Sequence, residues 1–461
     1  MIPPDFRQSV VDIVGAAFVR DDAGALELYG ADALKRGHPP DLVALPATTA
    51  HVSALARLCD YHRAPLVVRG GGTGYTGGSV PVHRGLLVSM ERMNRIVEID
   101  THNLLAVVEP NVITGDLQDA VERVGLFYPP DPASLRESVI GGNVAECAGG
   151  PRAFKYGTTR RYVLALEAVL PTGEVVRTGS KAVKNVVGYD LTQLLVGSEG
   201  TLAIITQIVL RLVPLPPVQS TLRATFCDVR DAVAAVDGLL RARVVPATLE
   251  LVDRDCLEAV ARYLGASLAP EGTGAVLLLE VDGLREAVVE ESRRVEEACR
   301  AAGATEILRA ASAGEREALW RVRREISPSL KVISPARLNH DLVVPRGRVP
   351  ELFDLIERAR REFRLRIACF GHAGDGNIHV NIMVRAEEPG EIERAHEAER
   401  RLFEGVVALE GSISGEHGIG FAKAKYLSIE LSPATIALMK RVKQAFDPHG
   451  ILNPGKIFPE D

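Results

Sequence analysis

The sequence has few of the features that would place it in a membrane, on a nucleic acid or around a metal cluster. No window approaches the roughly 18 uninterrupted apolar residues that a spanning helix needs, and apolar runs such as 275–279 are of strand length. The start Met1-Ile2-Pro3-Pro4-Asp5 has no basic patch leading into an apolar core, so no signal peptide is expected and a cytoplasmic location is. The six cysteines, Cys59, Cys147, Cys227, Cys256, Cys299 and Cys369, form no C-x-x-C pair. That spacing builds neither an iron–sulfur cluster nor a zinc knuckle, and most of the six are expected to be small core residues. A net charge of −6 gives no reason to expect nucleic acid, and the basic run 152–161 reads as solvated or cofactor-adjacent. Internal repeats and low-complexity segments are absent.

What is present is an ordinary globular composition, 46% hydrophobic and 25% charged, over 461 residues, enough for two domains. The most informative stretch is Arg69-Gly70-Gly71-Gly72-Thr73-Gly74-Tyr75-Thr76-Gly77-Gly78. Its six glycines leave a backbone with few Cβ atoms, free to turn successive N–H groups toward a phosphate pair. Gly72, Gly74 and Gly77 satisfy G-x-G-x-x-G, but the nicotinamide fingerprint requires a helix directly after the loop. Here Pro81 and a second strand pattern at 86–90 follow, so a Rossmann domain is disfavoured.

A strand, glycine loop, strand order resembles the pyrophosphate loop of the vanillyl-alcohol oxidase and p-cresol methylhydroxylase class of FAD proteins. Two later segments match that class in order: Pro129-Pro130-Asp131-Pro132-Ala133-Ser134 leading into Ile140-Gly141-Gly142-Asn143-Val144-Ala145-Glu146-Cys147-Ala148-Gly149-Gly150, and Val196-Gly197-Ser198-Glu199-Gly200-Thr201-Leu202. The resemblance implies that FAD is held by Arg69, Gly70, Gly71, Gly72, Thr73, Gly74, Gly77 and Gly78; by Pro130, Asp131 and Ser134; by Gly141, Gly142, Asn143, Cys147, Gly149 and Gly150; and by Glu199, Gly200, Ile204 and Ile205. The turn-rich tail 446–457 returns to the flavin in such proteins, placing Asn453 and Lys456 near it.

Taken in order, residues 1–40 read as an amphipathic start and a polar linker. A strand at 42–45 precedes a helix capped near Thr48 or Thr49, with Val52, Leu55, Ala56 and Cys59 on one face. A strand at 65–68 enters the glycine loop. Strands follow at 96–99 and 105–108, then a helix at 112–124 with Leu117, Ala120, Val121 and Val124 in register. A hairpin at 161–177 turns at Pro171-Thr172-Gly173, and a strand at 202–212 closes the domain. Pro214-Leu215-Pro216-Pro217 marks a boundary stiff enough to connect without joining a sheet. Beyond it strands at 222–226, 248–252 and 275–281 alternate with helices, one carrying Leu284, Val288, Val295 and Cys299. An α+β domain follows, with helices over one face of an antiparallel sheet. The expected organisation is an N-terminal segment 1–37, an FAD-binding domain of two α/β subdomains 38–215, a substrate or cap domain 216–425, and a C-terminal segment 426–461.

Six of the eleven histidines lie after residue 339. In Gly371-His372-Ala373-Gly374-Asp375-Gly376-Asn377-Ile378-His379-Val380-Asn381 the Gly-Asp-Gly-Asn core is a turn. Period-two alternation then puts His379 and Asn381 on one face and Ile378, Val380 and Ile382 in the core. Ser412-Ile413-Ser414-Gly415-Glu416-His417-Gly418-Ile419-Gly420 offers a carboxylate and another histidine framed by glycines. Two histidines and one carboxylate with an open fourth position suit a catalytic divalent ion, Zn²⁺ first, with Mn²⁺, Co²⁺ or Fe²⁺ also meeting the donor set. Hydrogen-bonded histidines in a polar cleft are the alternative.

Over residues 38–458 the chain resembles the FAD-linked 2-hydroxy-acid dehydrogenases: flavin-type D-lactate dehydrogenase, the FAD subunit of glycolate oxidase, and D-2-hydroxyglutarate dehydrogenase. The resemblance implies that His372, His379 and Glu416 hold the metal and that His417 takes the substrate hydroxyl proton. Arg323 matches the arginine that grips the substrate carboxylate, although a solvated helix charge is its plainer reading. Asn381 and Ser327 are further substrate-pocket candidates. Two departures from the family stand out. Asn339 occupies the place of a lysine in the hydroxyglutarate enzymes, which favours a monocarboxylic acid such as D-lactate or glycolate. Thr73 stands where some relatives carry a flavin-linking histidine, so FAD is expected to be non-covalent.

The function expected is metal-assisted oxidation of a D-2-hydroxy acid to the 2-oxo acid by hydride transfer to flavin. The alternatives are D-2-hydroxyglutarate dehydrogenase, an FAD electron-relay subunit of a glycolate oxidase-like complex, and a non-redox flavoenzyme like the alkyl-glycerone-phosphate synthases. The reoxidant is a quinone, a cytochrome, an electron-transfer flavoprotein or an iron–sulfur partner, and a homodimer is expected from the resemblance.

Overall fold

A computed structural model describes residues 5–265 and 269–459, so Met1-Ile2-Pro3-Pro4 lies outside the described residues. The chain forms two compact units. The first comprises Met1–Gly149, Thr158–Leu215 and Glu416–Asp461, and the second Gly150–Gly157 and Pro216–Gly415.

The first unit holds two main sheets. One has the order Val19–Arg20, Leu42–Ala44, Leu86–Ser89, Leu66–Arg69, with the last three strands parallel. Helix Thr49–His62 starts where Thr48 accepts the His51 N–H at 3.2 Å and ends where Arg63 turns left-handed. A cap of this kind contributes about 1 kcal/mol. Val52, Leu55, Ala56 and Cys59 are buried on its one apolar face, packed with Leu66, Leu86 and Val88 of the sheet. Each of the valine and leucine side chains gains roughly 1.5–3 kcal/mol on leaving water, so the sheet and this helix form one core.

The amphipathic start is helix Phe6–Val14, which puts Phe6, Val10 and Val14 into the same core. The polar linker expected after it is in fact built structure: Val19–Arg20 pairs antiparallel with Leu42–Ala44, and Ala23–Tyr29 is a helix. The second sheet is antiparallel throughout, in the order Ile96–Asp100, Leu105–Val108, Ile204–Arg211, Val163–Val169, Val175–Gly179. The helix expected at 112–124 is shorter, Thr114–Glu122, because Val124 lies beyond its end in solvent. Pro214 does join a sheet: Val213–Pro214 pairs with Leu126–Phe127. A two-residue edge ladder tolerates a proline because only one side of the strand is bonded.

The second unit is built on one seven-stranded antiparallel sheet, ordered Glu306–Arg309, Val218–Phe226, Ala275–Gly283, Thr248–Asp253, Arg366–His372, Asn377–Met383, Leu338–Val343. Cross-strand register sorts the side chains into two faces. Leu249, Leu251, Leu277, Leu279, Ile378, Val380 and Ile382 share the apolar face, against helices Val229–Arg241, Arg285–Ala301, Val349–Phe363 and Glu391–Ala408. The opposite face carries Glu250, His372, Asn377, His379, Asn381, Asn339 and Asp341. Helices therefore flank both faces rather than one, because Val252, Val276 and Phe370 on this second face pack with Cys256, Val260, Ile326 and Leu330 of helices Arg254–Leu264 and Ile326–Ile333. Leu284 is exposed ahead of helix Arg285–Ala301, whose buried stripe is Val288, Ser292, Val295 and Cys299.

Candidate active site

The glycine loop leaves strand Leu66–Arg69 and is fixed by close approach. Cβ atoms on Gly70 and Gly71 would stand 2.6 Å from Val139 Cγ2 and from the Glu137 carbonyl oxygen, while Gly72 and Gly77 have φ of +67° and +79°. Side chains at these four positions would fill the cradle or strain the backbone, which fits a loop shaped for a phosphate pair. Arg69 buttresses the loop: its guanidinium binds the carbonyls of Tyr29 and Ala31. Thr73 and Gly74 lie in the loop, and Asn453 ties it to the tail, its Nδ2 donating to the carbonyls of Gly78 and Glu199, each at 2.8 Å. Lys456 Nζ donates to the Val80 carbonyl at 2.6 Å.

The second segment holds itself together before it can meet any ligand. Gln118 donates to the Pro130 carbonyl, the Ser134 carbonyl accepts from Glu137 and Ser138, and Asp131 is half-buried beside them. Gly141 packs on Pro110, which its Cβ would meet at 2.5 Å, and Gly142 sits next to it in helix Ile140–Glu146. Asn143 Nδ2 donates to Thr114 Oγ1 at 2.7 Å, and Cys147 turns left-handed with its Sγ 3.4 Å from Thr158 Oγ1. Gly149 leaves room for Glu416, whose Oε2 would lie 2.6 Å from an added Cβ, and Gly150 caps the turn to Ala153. Ile204 and Ile205 are buried at the start of strand Ile204–Arg211. Cys147, Glu199 and Asn453 all hold left-handed φ without being glycine, a strain that tends to gather at functional sites.

Glu199 organises the Glu416-His417 loop within the first unit. Its carboxylate accepts the N–H groups of Ile419 at 2.8 Å and Gly420 at 2.6 Å, and Gly200 follows at φ +64°. Burial raises the Glu199 pKa against the pull of those N–H groups and of Lys423 and Lys456. Thr76 Oγ1 donates to the His417 carbonyl at 3.0 Å, and the Tyr75 ring lies 5.2 Å from the His417 ring. His417 is thereby fastened to the glycine loop itself.

On the second unit's polar face, Glu250 is fully buried between a histidine and an arginine. Its Oε1 lies 2.5 Å from His372 Nδ1 and its Oε2 accepts Arg323 Nε at 2.5 Å. Burial pushes this carboxyl up, but His372 and Arg323 outweigh it and bring it down to about 2. Arg323 also stacks over Phe370, its Cζ 4.6 Å from the ring centroid. The His379 ring lies 5.3 Å from that of His372. Gly415, the last residue of this unit, donates to the Asp341 carboxylate at 2.8 Å, and Asp341 pairs with His379 across the ladder. Glu416, the third expected metal ligand, is the next residue in the chain and opens the closing segment of the first unit. Asn381 and Ser327 are joined by a residue absent from the sequence expectation: Arg337 donates to Asn381 Oδ1 and to Ser327 Oγ, both at 3.2 Å. Glu250 was also missed, although a carboxylate between Leu249 and Leu251 in an apolar strand was its signal.

Residues 215–457 match the family model for FAD linked oxidases, C-terminal domain, and residues 40–179 match that for an FAD binding domain. The chain belongs to the FAD-linked oxidases. This oxidase is 40% identical over 462 residues to the glycolate oxidase subunit GlcD of Bacillus subtilis (strain 168), covering 100% of this chain and 98% of that protein. It is 39% identical to GlcD of Escherichia coli (strain K12), over 91% of this chain and 84% of that one. To a D-lactate dehydrogenase of Anaerostipes hadrus it is 35% identical, over 91% and 89%. It is thus an FAD-linked oxidoreductase of the glycolate oxidase and D-lactate dehydrogenase type. Crystalline p-cresol methylhydroxylase with substrate bound superposes with a TM-score of 0.83 at 20% identity, covering 99% of this chain and 97% of that one. Alkyldihydroxyacetonephosphate synthase gives 0.76 at 19%, over 98% and 86%. At those identities the likeness establishes the fold, which is the vanillyl-alcohol-oxidase type inferred from the glycine segments. Among the described residues no helix is long and apolar enough to cross a membrane.

Proposed function

We propose that this oxidase is a divalent-metal-assisted dehydrogenase converting a D-2-hydroxy acid of the D-lactate or glycolate type to its 2-oxo acid. The observation that carries this reading is the pairing of the His372 and His379 rings, 5.3 Å apart on one sheet face where Asp341 holds Gly415. Glu416 and His417 follow Gly415 directly in the chain, and His417 is bound to the glycine loop. Non-covalently bound FAD, when present, supplies the acceptor for the Cα hydride. A Zn²⁺ ion, or Mn²⁺, Co²⁺ or Fe²⁺, held by those three side chains would supply the Lewis acidity that makes an alcohol proton labile.

The chain's own residues do the rest. Glu250 engages His372 Nδ1, which leaves Nε2 as the ligating nitrogen. Arg323 is fixed by its Nε bond to Glu250 and its stack on Phe370, and its two terminal nitrogens present a fork to the substrate carboxylate. His417 takes the hydroxyl proton. Asn381 steadies the substrate or a ligand from the same sheet face as His379. A quinone, a cytochrome, an electron-transfer flavoprotein or an iron–sulfur subunit then reoxidises the flavin, and we expect a cytoplasmic homodimer.

Arg337 favours a second reading, oxidation of an acid with a distal carboxylate such as D-2-hydroxyglutarate. It places another guanidinium between Asn381 and Ser327, on the strand edge beside Asn339. Two relatives are named subunits of glycolate oxidase, which favours a role as the FAD subunit of a similar complex. One experiment sorts these readings: anaerobic mixing of metal-analysed protein with D- and L-lactate, glycolate and D-2-hydroxyglutarate while following loss of the flavin absorbance band. The proposed reading requires bleaching by a D-monocarboxylic acid or glycolate that chelation abolishes. No bleaching by any acid would leave only the relay subunit.

A further inference from the structure

Asp32 carries an unsatisfied carboxylate oxygen against the glycine loop. The segment around it is fastened there: Ala33 N–H donates to the Gly72 carbonyl at 3.1 Å, and Arg69 binds the carbonyls of Tyr29 and Ala31 on either flank. Asp32 Oδ1 accepts the Leu34 N–H at 2.9 Å, closing a local turn. Its Oδ2 is sealed from solvent and makes no well-formed hydrogen bond among the described residues, and the residue is only 8% exposed. A Cβ on Gly74 would stand 3.9 Å from that oxygen, so it is aimed at the loop rather than into the protein. Burial pushes this carboxyl up to about 6, against the Leu34 bond, the charge of Arg69, a poorly formed backbone bond from the Gly77 N–H, and the charge of Lys456.

A buried acceptor left without a donor costs free energy that a bound group can recover. The phosphates of a dinucleotide offer only acceptors at neutral pH, and they repel a carboxylate. The donors adjoining a pyrophosphate are the hydroxyls of the ribose and of the ribityl chain. We propose that Asp32 Oδ2 accepts a hydrogen bond from a sugar hydroxyl of bound FAD, making it a cofactor-binding residue. This rests on FAD binding at the glycine loop, which the family match supports independently of the metal and the substrate.

The test is FAD affinity, read by quenching of flavin fluorescence on titrating apoprotein. Asp32→Asn keeps an oxygen for the Leu34 N–H and replaces Oδ2 with a donor. It should weaken FAD binding about ten- to a hundredfold, the range for a lost bond to a charged group. The melting temperature of the apoprotein should hold or rise, because an unpaired buried carboxylate has been removed. FAD analogues lacking single ribityl or ribose hydroxyls identify the partner: one should lose affinity for the wild type, yet bind Asp32→Asn no worse than FAD does. An unchanged dissociation constant in Asp32→Asn overturns the proposal. So does a wild type that binds every deoxy analogue as tightly as FAD, a result that needs no variant to fold.

Discussion

Replacing Glu250 with glutamine should weaken metal binding and carboxylate recognition together, because one buried carboxylate holds both His372 and Arg323. Removing one partner of a buried ion pair costs roughly 3–5 kcal/mol. Glutamine keeps the shape and one acceptor oxygen, so the lower end, about 3 kcal/mol, is expected from urea unfolding of the metal-stripped protein. Loss of a carboxylate behind a ligating histidine lowers metal affinity about 10–100-fold, read by metal analysis after dialysis against graded chelator. KM should rise as Arg323 loses its orientation. Glu280→Gln is the matched control, since among the described residues Glu280 accepts from the neutral donors of Thr221 at 2.7 Å and Trp320 at 3.1 Å. It should cost about 1 kcal/mol and leave metal affinity alone. The acid limb gives an independent check. The folded-state pKa of Glu250 is depressed to about 2, so its stabilisation is present above the unfolded value of roughly 4.3 and is lost as pH falls toward 2. Metal-stripped Glu250→Gln should therefore lose less stability than wild type over that window. Equal metal affinity in wild type and Glu250→Gln, or an equal loss in Glu280→Gln, would refute the reasoning.

Glu416→Gln should purify yellow but metal-poor and inactive, and full metal content there would remove Glu416 from the ligand set. His417→Ala should keep colour and metal while kcat falls about 10²–10⁴-fold, and near-normal turnover would exclude it as the base. Arg323→Lys should raise KM for the acid by roughly tenfold or more, because an ammonium replaces a fixed fork; an unchanged KM would point the carboxylate elsewhere. Gly71→Ala drives a Cβ to 2.6 Å from the Glu137 carbonyl and should give protein that retains little FAD, judged by the ratio of flavin to protein absorbance. Acid precipitation of the wild type should leave a colourless pellet, whereas a yellow one would mean a covalent flavin.

Much of this arrangement is legible in the sequence because it is written in local chemistry. The glycine loop needs positive φ and close approach at particular positions, and only glycine supplies both. The period-two pattern at 377–383 fixes which face His379 shares with Asn381, and the register with Leu338–Val343 agrees. The residues after the amphipathic start read as linker because Val19–Arg20 is too short a strand to stand out until Leu42–Ala44 lies beside it. Glu250 and Arg337 escaped for a different reason. Their roles come from partners 122 and 44 residues away, to His372 and Asn381, and no spacing within one segment encodes such a meeting.

The first unit is assembled from stretches that synthesis separates widely. Asn453 reaches the Gly78 carbonyl across 375 residues, and Leu66 pairs with Leu452 beside the strand that feeds the glycine loop. At ordinary elongation rates the ribosome needs roughly 20–75 s to span that gap. Throughout that interval the nascent nucleotide cradle lacks its closing strap, while Pro216–Gly415, contiguous but for a short earlier excursion, can already collapse around its own sheet. Closure of the cradle is consequently a late event, completed only once Leu452 and Asn453 have been made.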